Sequence, residues 1–249
     1  MRIGFFDSGI GGLTVLHQAL RFMPKEDFLF YADTLHVPYG EKTKEEVREY
    51  VINAVDFIAN QNVKALFVAC NTATSIVIEE LREKYNFPIL GMEPAVKPAI
   101  EKCAGKQKRV LVLATALTLK EKKYLDLIQK NLSPLDLSQY GTLVLGCTHF
   151  PYFEGSLKRI FPKDVNFVSG SIGTAKNLKR ILESNEQCNQ GTGDIVFYKS
   201  GIEVEDTFTL SRYQSLFQIL DELMRQRKKK QGDQVEDEHS FEHRNMPNL

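Results

Sequence analysis

The sequence predicts an α/β protein with mostly parallel sheets, and three observations carry that expectation. Short apolar runs alternate with amphipathic helical stretches along most of the chain. The runs are apolar in the manner of strands covered on both faces. Two of them, Ala65-Leu66-Phe67-Val68-Ala69-Cys70-Asn71-Thr72 and Thr142-Leu143-Val144-Leu145-Gly146-Cys147-Thr148-His149, resemble each other. In each, a small residue, a cysteine and then amide, hydroxyl or imidazole groups follow the apolar run. A buried strand delivering a thiol to the mouth of a sheet is thus written twice.

Taken in order, residues 3–6 form a strand, and Asp7-Ser8-Gly9-Ile10-Gly11-Gly12 is a turn that opens an amphipathic helix over 13–22. Residues 28–32 are a second strand, ending at Asp33-Thr34. A helix over 42–61 carries Val47, Val51, Ala54, Val55 and Ile58 on one stripe. The strand over 64–69 ends at Cys70, and a helix follows over 74–85, then a short strand over 88–91. Met92-Glu93-Pro94-Ala95-Val96-Lys97-Pro98 is a domain junction, because each proline restricts its predecessor and removes a backbone donor. The alternation then restarts with a helix to about 103, a strand over 109–114, a helix over 118–130 and a strand over 142–146. A helix follows Pro151, with a strand over 165–168, a helix over 173–182, a strand over 194–198 and a helix over 210–224. Residues 226–249 mix charges with almost nothing to bury and read as a disordered tail.

Composition excludes several classes of function. Thirty-two basic and thirty-two acidic residues balance in a chain of 249, leaving no electrostatic footprint for nucleic acid or an anionic membrane surface. Charge interrupts the N-terminus too early for a signal peptide, and no apolar run reaches membrane-spanning length, so a cytoplasmic protein is expected. The four cysteines include no CxxC pair, which argues against a disulfide framework and against a metal site. Cys103 and Cys188 lie in polar stretches and read as incidental surface or loop thiols.

Cys70 and Cys147 read differently. At a strand-to-helix turn, free backbone N–H groups and the helix dipole are expected to lower a thiol's pKa from its ordinary value. The same N–H groups, with Asn71, Thr72, Thr74, Thr148 and His149, can hold a carboxylate. Asp7-Ser8 ends the first strand and Pro38-Tyr39-Gly40 lies beyond the second, so these groups converge where open α/β sheets bind ligands. Singly, each has a plainer reading. A lone buried cysteine is ordinarily a small apolar residue, His149 an ordinary hydrogen-bonding side chain, and Tyr39-Gly40 loop packing. The glycine turn matches neither of the common phosphate-binding patterns. Repetition of the thiol motif is what favours chemistry.

Together these motifs resemble the cofactor-independent glutamate racemases. The resemblance rests on Phe6-Asp7-Ser8-Gly9-Ile10-Gly11-Gly12-Leu13, Pro38-Tyr39-Gly40, Ala69-Cys70-Asn71-Thr72-Ala73-Thr74, Glu93-Pro94-Ala95 and Leu145-Gly146-Cys147-Thr148-His149-Phe150-Pro151, and it spans roughly residues 2–201. It implies an isomerase that interconverts L- and D-glutamate with neither pyridoxal phosphate nor metal, for peptidoglycan synthesis. It also implies two doubly wound, flavodoxin-like lobes related by pseudo-twofold symmetry, with the active site between them. The lobes are expected at 1–93 plus 167–225 and at 94–166. By the same resemblance Cys70 and Cys147 are the two bases, acting on D- and L-glutamate respectively, with Asp7 and His149 assisting. Ser8, Tyr39, Gly40, Asn71, Thr72 and Thr148 hold the substrate. Family members are often dimers, so a homodimer is the implied assembly.

One departure stands out. Family members carry a few dozen more residues between the helix ending near Lys130 and the strand beginning at Thr142, including an acidic residue close to one thiol. Here Asn131-Leu132-Ser133-Pro134-Leu135 bridges the gap. A trimmed working racemase and a racemase-like protein that only binds glutamate both remain open, as does a racemase of aspartate or another small amino acid.

Overall fold

The computed structural model describes residues 1–92, 95–104, 108–114, 137–188 and 191–231. Among these residues, one sheet has six strands in the order β4-β3-β1-β2-β8-β9 and a second has three, β5-β6-β7. The strands are β1 Arg2–Asp7, β2 Phe28–Ala32, β3 Val63–Val68, β4 Ile89–Gly91, β5 Arg109–Leu113, β6 Tyr140–Leu145, β7 Asn166–Val168, β8 Ile195–Lys199 and β9 Ile202–Glu203. All pairings are parallel except the terminal β8–β9 hairpin. The helices are α1 Leu13–Phe22, α2 Lys44–Ala59, α3 Asn71–Lys84, α4 Val96–Cys103, α5 Glu154–Ile160, α6 Ser171–Ser184 and α7 Thr207–Gln231. No helix among the described residues is long and apolar enough to cross a membrane.

Strand alternation divides the first lobe's apolar residues between two faces. Ile3, Phe5, Phe28, Phe30, Ala65 and Phe67 point to one side, where Leu13, Leu16 and Leu20 of α1, Leu178 of α6 and Phe217 of α7 cover them. Phe6, Leu29, Tyr31, Leu66 and Val68 point to the other, under Val51 and Val55 of α2 and Val77 of α3. Such two-sided cover is why the strands read as continuous apolar runs rather than alternating ones. Gly4 permits the close approach of α2, since a Cβ there would lie 2.8 Å from Ile58 Cγ2.

The second lobe is thinner. Ala95, Ala99 and Cys103 cover one face of its sheet, against Val110 and Val144. Leu157 and Phe161 help to cover the other, against Leu111, Leu143 and Leu145. Cys103 is therefore a core residue and not a surface thiol, and its Sγ donates to Thr142 Oγ1 at 3.2 Å. The polar residues around it hid this, because a four-turn amphipathic pattern needs more length than α4 has. The expected helix over 118–130 lies outside the described residues, but β5 and β6 still pair in parallel, as one crossover between them requires.

Several boundaries move for local reasons. Thr43 caps α2 in a capping box with Glu46, so that helix begins at Lys44. α3 begins at Asn71, directly after Cys70, three residues earlier than expected. β7 pairs with β6, so Asn166–Val168 belong to the second sheet. Strand β9 escapes the sequence pattern because it has only two residues; Ser200 and Gly201, both at positive φ, make its tight turn. The final helix runs to Gln231, past the expected start of the tail at 226, because Arg227 has a partner in Glu154. Residues 232–249 lie outside the described residues.

A buried ion pair beneath the sheet yields a stability test. Lys64 Nζ lies 2.6 Å from Glu26 Oε2, each side chain 4% exposed, and also donates to the Gln187 carbonyl. Removing one member of such a pair strands the other charge away from water. Glu26→Gln is expected to cost about 3–5 kcal/mol of unfolding free energy. Urea denaturation checks it, and an unchanged midpoint would refute the claim.

Candidate active site

Strand ends place the site. Asp7 closes β1, Cys70 follows β3 and Cys147 follows β6, so carboxylate and thiols come from both sheets. Asp7 is buried, and its carboxylate accepts from the Gly9 N–H at 3.0 Å and from Thr148 Oγ1 at 3.2 Å. Thr148 thus bridges the lobes, and its carbonyl also accepts from Thr14 Oγ1 at 2.9 Å. Burial raises the Asp7 pKa, opposed by the Gly9 and Gly12 N–H groups, Thr148 and the His149 charge. Gly12 is required here, because a Cβ would lie 2.6 Å from Asp7 Cβ.

Cys70 is the N-cap of α3, its Sγ accepting from the Ala73 N–H at 3.5 Å and from Ser8 Oγ at 3.5 Å. Those donors favour the thiolate, as the turn suggested. Burial and the Asp7 charge outweigh them and push the thiol up to about 11. Cys147 Sγ lies 3.2 Å from His149 Nδ1. Burial, then the charges of Cys70 and Asp7, push it up to about 12 against the N–H groups of His149 and Thr148. The expected lowering of both thiols is therefore overturned: a dipole at a helix end is weaker than loss of water around a buried anion. Desolvation lowers the His149 pKa although the residue remains exposed at the mouth, so a neutral imidazole faces Cys147 at neutral pH.

Asp7, Ser8, Cys70, Cys147, Thr148 and His149 are linked by these contacts. Thr72 and Asn71 are buried in the first turn of α3, and Thr72 is close enough for its backbone N–H to favour the Cys70 thiolate. Thr74 is committed to structure, its hydroxyl donating to the Val68 carbonyl and accepting from the Met92 N–H. Tyr39 is buried beside Gly40 in a single helical turn, Tyr39–Glu41, and senses the charges of Cys70 and Asp7. Its hydroxyl donates to Asp33 Oδ2 at 2.6 Å.

Two residues belong with this set although the sequence motifs did not include them. Asp33 is buried one position past β2, and its carboxylate takes the Tyr39 hydroxyl, His36 Nδ1 at 2.8 Å and Ser200 Oγ at 3.2 Å. A second strand-end acid alongside Asp7 was its available signal. Tyr152, just beyond His149, has a buried hydroxyl without a hydrogen-bond partner among the described residues, and both burial and the Asp7 charge raise its pKa.

The model of the Asp/Glu/Hydantoin racemase family matches residues 14–134. "Glutamate racemase 2" of Bacillus subtilis is 50% identical over 260 residues, covering 90% of this chain and 98% of that protein. The chain belongs to the glutamate racemase family. It is accordingly an isomerase of amino acids, with the mixed α/β fold of that family. A glutamate racemase of Halothermothrix orenii is 46% identical over 238 residues, covering 81% of this chain and 93% of that protein. Among solved structures, the Thermus thermophilus glutamate racemase in complex with β-chloro-D-alanine is 30% identical with a TM-score of 0.67, covering 97% of both chains. The RacE1 isoform of Bacillus anthracis gives a TM-score of 0.70 at 26% identity, covering 96% of this chain and 97% of that one. The alignment to the B. subtilis racemase, at 260 positions, is longer than the 249-residue chain, so that racemase carries residues absent here.

Proposed function

We propose that this chain interconverts L- and D-glutamate by two-base proton transfer between Cys70 and Cys147, supplying D-glutamate for peptidoglycan in the cytoplasm. The observation that carries the reading is the electrostatic coupling of two thiols on separate sheets, the Cys70 charge raising the pKa of Cys147. A racemase of this kind needs one thiolate and one thiol at a time, and the charge on a Cys70 thiolate disfavours a second thiolate at Cys147. The thiolate of Cys70 takes the α-proton of D-glutamate, leaving a carbanion, and the Cys147 thiol returns a proton to the opposite face. L-glutamate runs the reverse course. Each turnover leaves the proton on the other cysteine, so the thiols must re-equilibrate before the same direction repeats.

Asp7 and His149 assist Cys70 and Cys147 respectively, His149 Nδ1 lying 3.2 Å from the Cys147 thiol. Ser8, Gly40, Asn71, Thr72 and Thr148 bind the amino and carboxylate groups, and Tyr39, held by Asp33, walls the pocket. Fixed donors around the carboxylate and exclusion of water supply the stabilisation that a weakly acidic α-proton demands.

Purified protein in heavy water, given either enantiomer of glutamate without cofactor, is expected to incorporate α-deuterium with inversion, followed by NMR and circular dichroism. Glutamate binding by calorimetry without exchange would refute catalysis and establish the binding-only relative that the shorter chain also allows. Faster turnover of aspartate across an amino-acid panel would overturn the substrate assignment.

A further inference from the structure

Glu154 is the most deeply buried carboxylate among the described residues of the second lobe, its side chain 1% exposed, and a cation from the first lobe meets it. Arg227 Nε donates to Glu154 Oε1 at 3.1 Å, and Arg227 Nη2 and Lys158 Nζ complete the cluster. Lys158 lies on the same short helix as Glu154, whereas Arg227 lies on α7, whose Phe217 and Leu220 are fixed in the first lobe's core. Leu157 and Phe161 already anchor α5 in its own lobe, so the arginine is not needed for that packing. The segment 147–154 is consequently tied to the first lobe at both ends, by Thr148 on Asp7 and Thr14, and by Glu154 on Arg227. Between the ties lies a small cleft of about 30 Å³, room for about one water molecule, with Thr14, Gln18, Pro151, Leu223 and Arg227 on its walls.

We propose that the Glu154–Arg227 ion pair is a clasp between the lobes that sets the placement of the Cys147 segment, making both residues positioning residues for proton transfer. The inference rests on the two-thiol racemase reading. Cys147 and Glu154 are joined through the short helical turn Phe150–Phe153, with Pro151 in its first turn, so displacement at one is passed to the other. A thiol displaced by a fraction of an ångström loses its alignment with the α-carbon while the substrate's other contacts remain.

The test compares Arg227→Ala, Arg227→Lys and the isosteric Glu154→Gln in the full chain. For Arg227→Ala, kcat is expected to fall about tenfold for both enantiomers while KM changes less than about threefold, with Arg227→Lys recovering much of the loss. Iodoacetamide labelling followed by mass spectrometry should show a changed Cys147-to-Cys70 rate ratio, whereas a purely structural tie would move the melting temperature only. Unchanged kcat and an unchanged labelling ratio in folded protein overturn the clasp. Should Arg227→Ala fail to fold, the same two readouts on Glu154→Gln decide. If the unmodified chain shows no α-proton exchange, the racemase reading fails, and the labelling ratio alone still decides whether the clasp places Cys147.

Discussion

Cys70→Ser and Cys147→Ser are each expected to lower racemisation by about 10³-fold, within the range that a positioned proton-transfer group supplies. A serine hydroxyl keeps the shape and most of the hydrogen bonding of the thiol, including the contacts of Cys70 with Ser8 and the Ala73 N–H. It is far too weak an acid to provide the base. Because racemisation needs proton removal on one face and delivery on the other, neither thiol can substitute for its partner. The double variant should therefore be hardly slower than either single one, as for groups that act as a unit. Rates by circular dichroism from both enantiomers, with melting curves to verify folding, check this. Either single variant keeping more than a tenth of the parent rate would exclude the two-thiol mechanism.

Rates should also climb steeply with pH. With Cys70 pushed up to about 11 and Cys147 to about 12, both are overwhelmingly thiols in the free protein at neutral pH. Below those values the thiolate fraction rises about tenfold per pH unit, so kcat/KM and the iodoacetamide labelling rates should both rise between pH 7 and 9 on the order of that slope. The neutral His149 offers no cation to flatten the curve for Cys147. A plateau in labelling below pH 8 would contradict the burial argument. Stability moves oppositely: for thiols raised above their ordinary value near 9, the folded state holds protons that the unfolded chain releases. Their contribution to the fold is complete below about 9 and is lost as pH climbs through 11 and 12.

Much of the site was legible because each feature is local. An apolar run ending in Ala69-Cys70-Asn71-Thr72 needs only neighbouring residues to be read as a strand that delivers a thiol, and the same holds for Gly146-Cys147-Thr148-His149. Strand ends in a parallel sheet share one edge, so convergence follows from topology. Cys103 failed for the converse reason: its burial depends on β6, with Thr142 nearly forty residues away. Asp33 likewise has an unremarkable neighbourhood until the β8–β9 turn brings Ser200 to it.

By itself the sequence determined the α/β class, the helices and every strand but β9 among the described residues, the thiol pair and its polar neighbours, since periodicity and motif spacing are properties of adjacent residues. Tertiary structure alone decided the protonation of those thiols, the Asp7–Thr148 and Glu154–Arg227 ties across the lobes, and the length of the last helix. The physical reason is that desolvation and charge pairing depend on which distant groups exclude water or approach within a few ångströms. No local pattern encodes that distance.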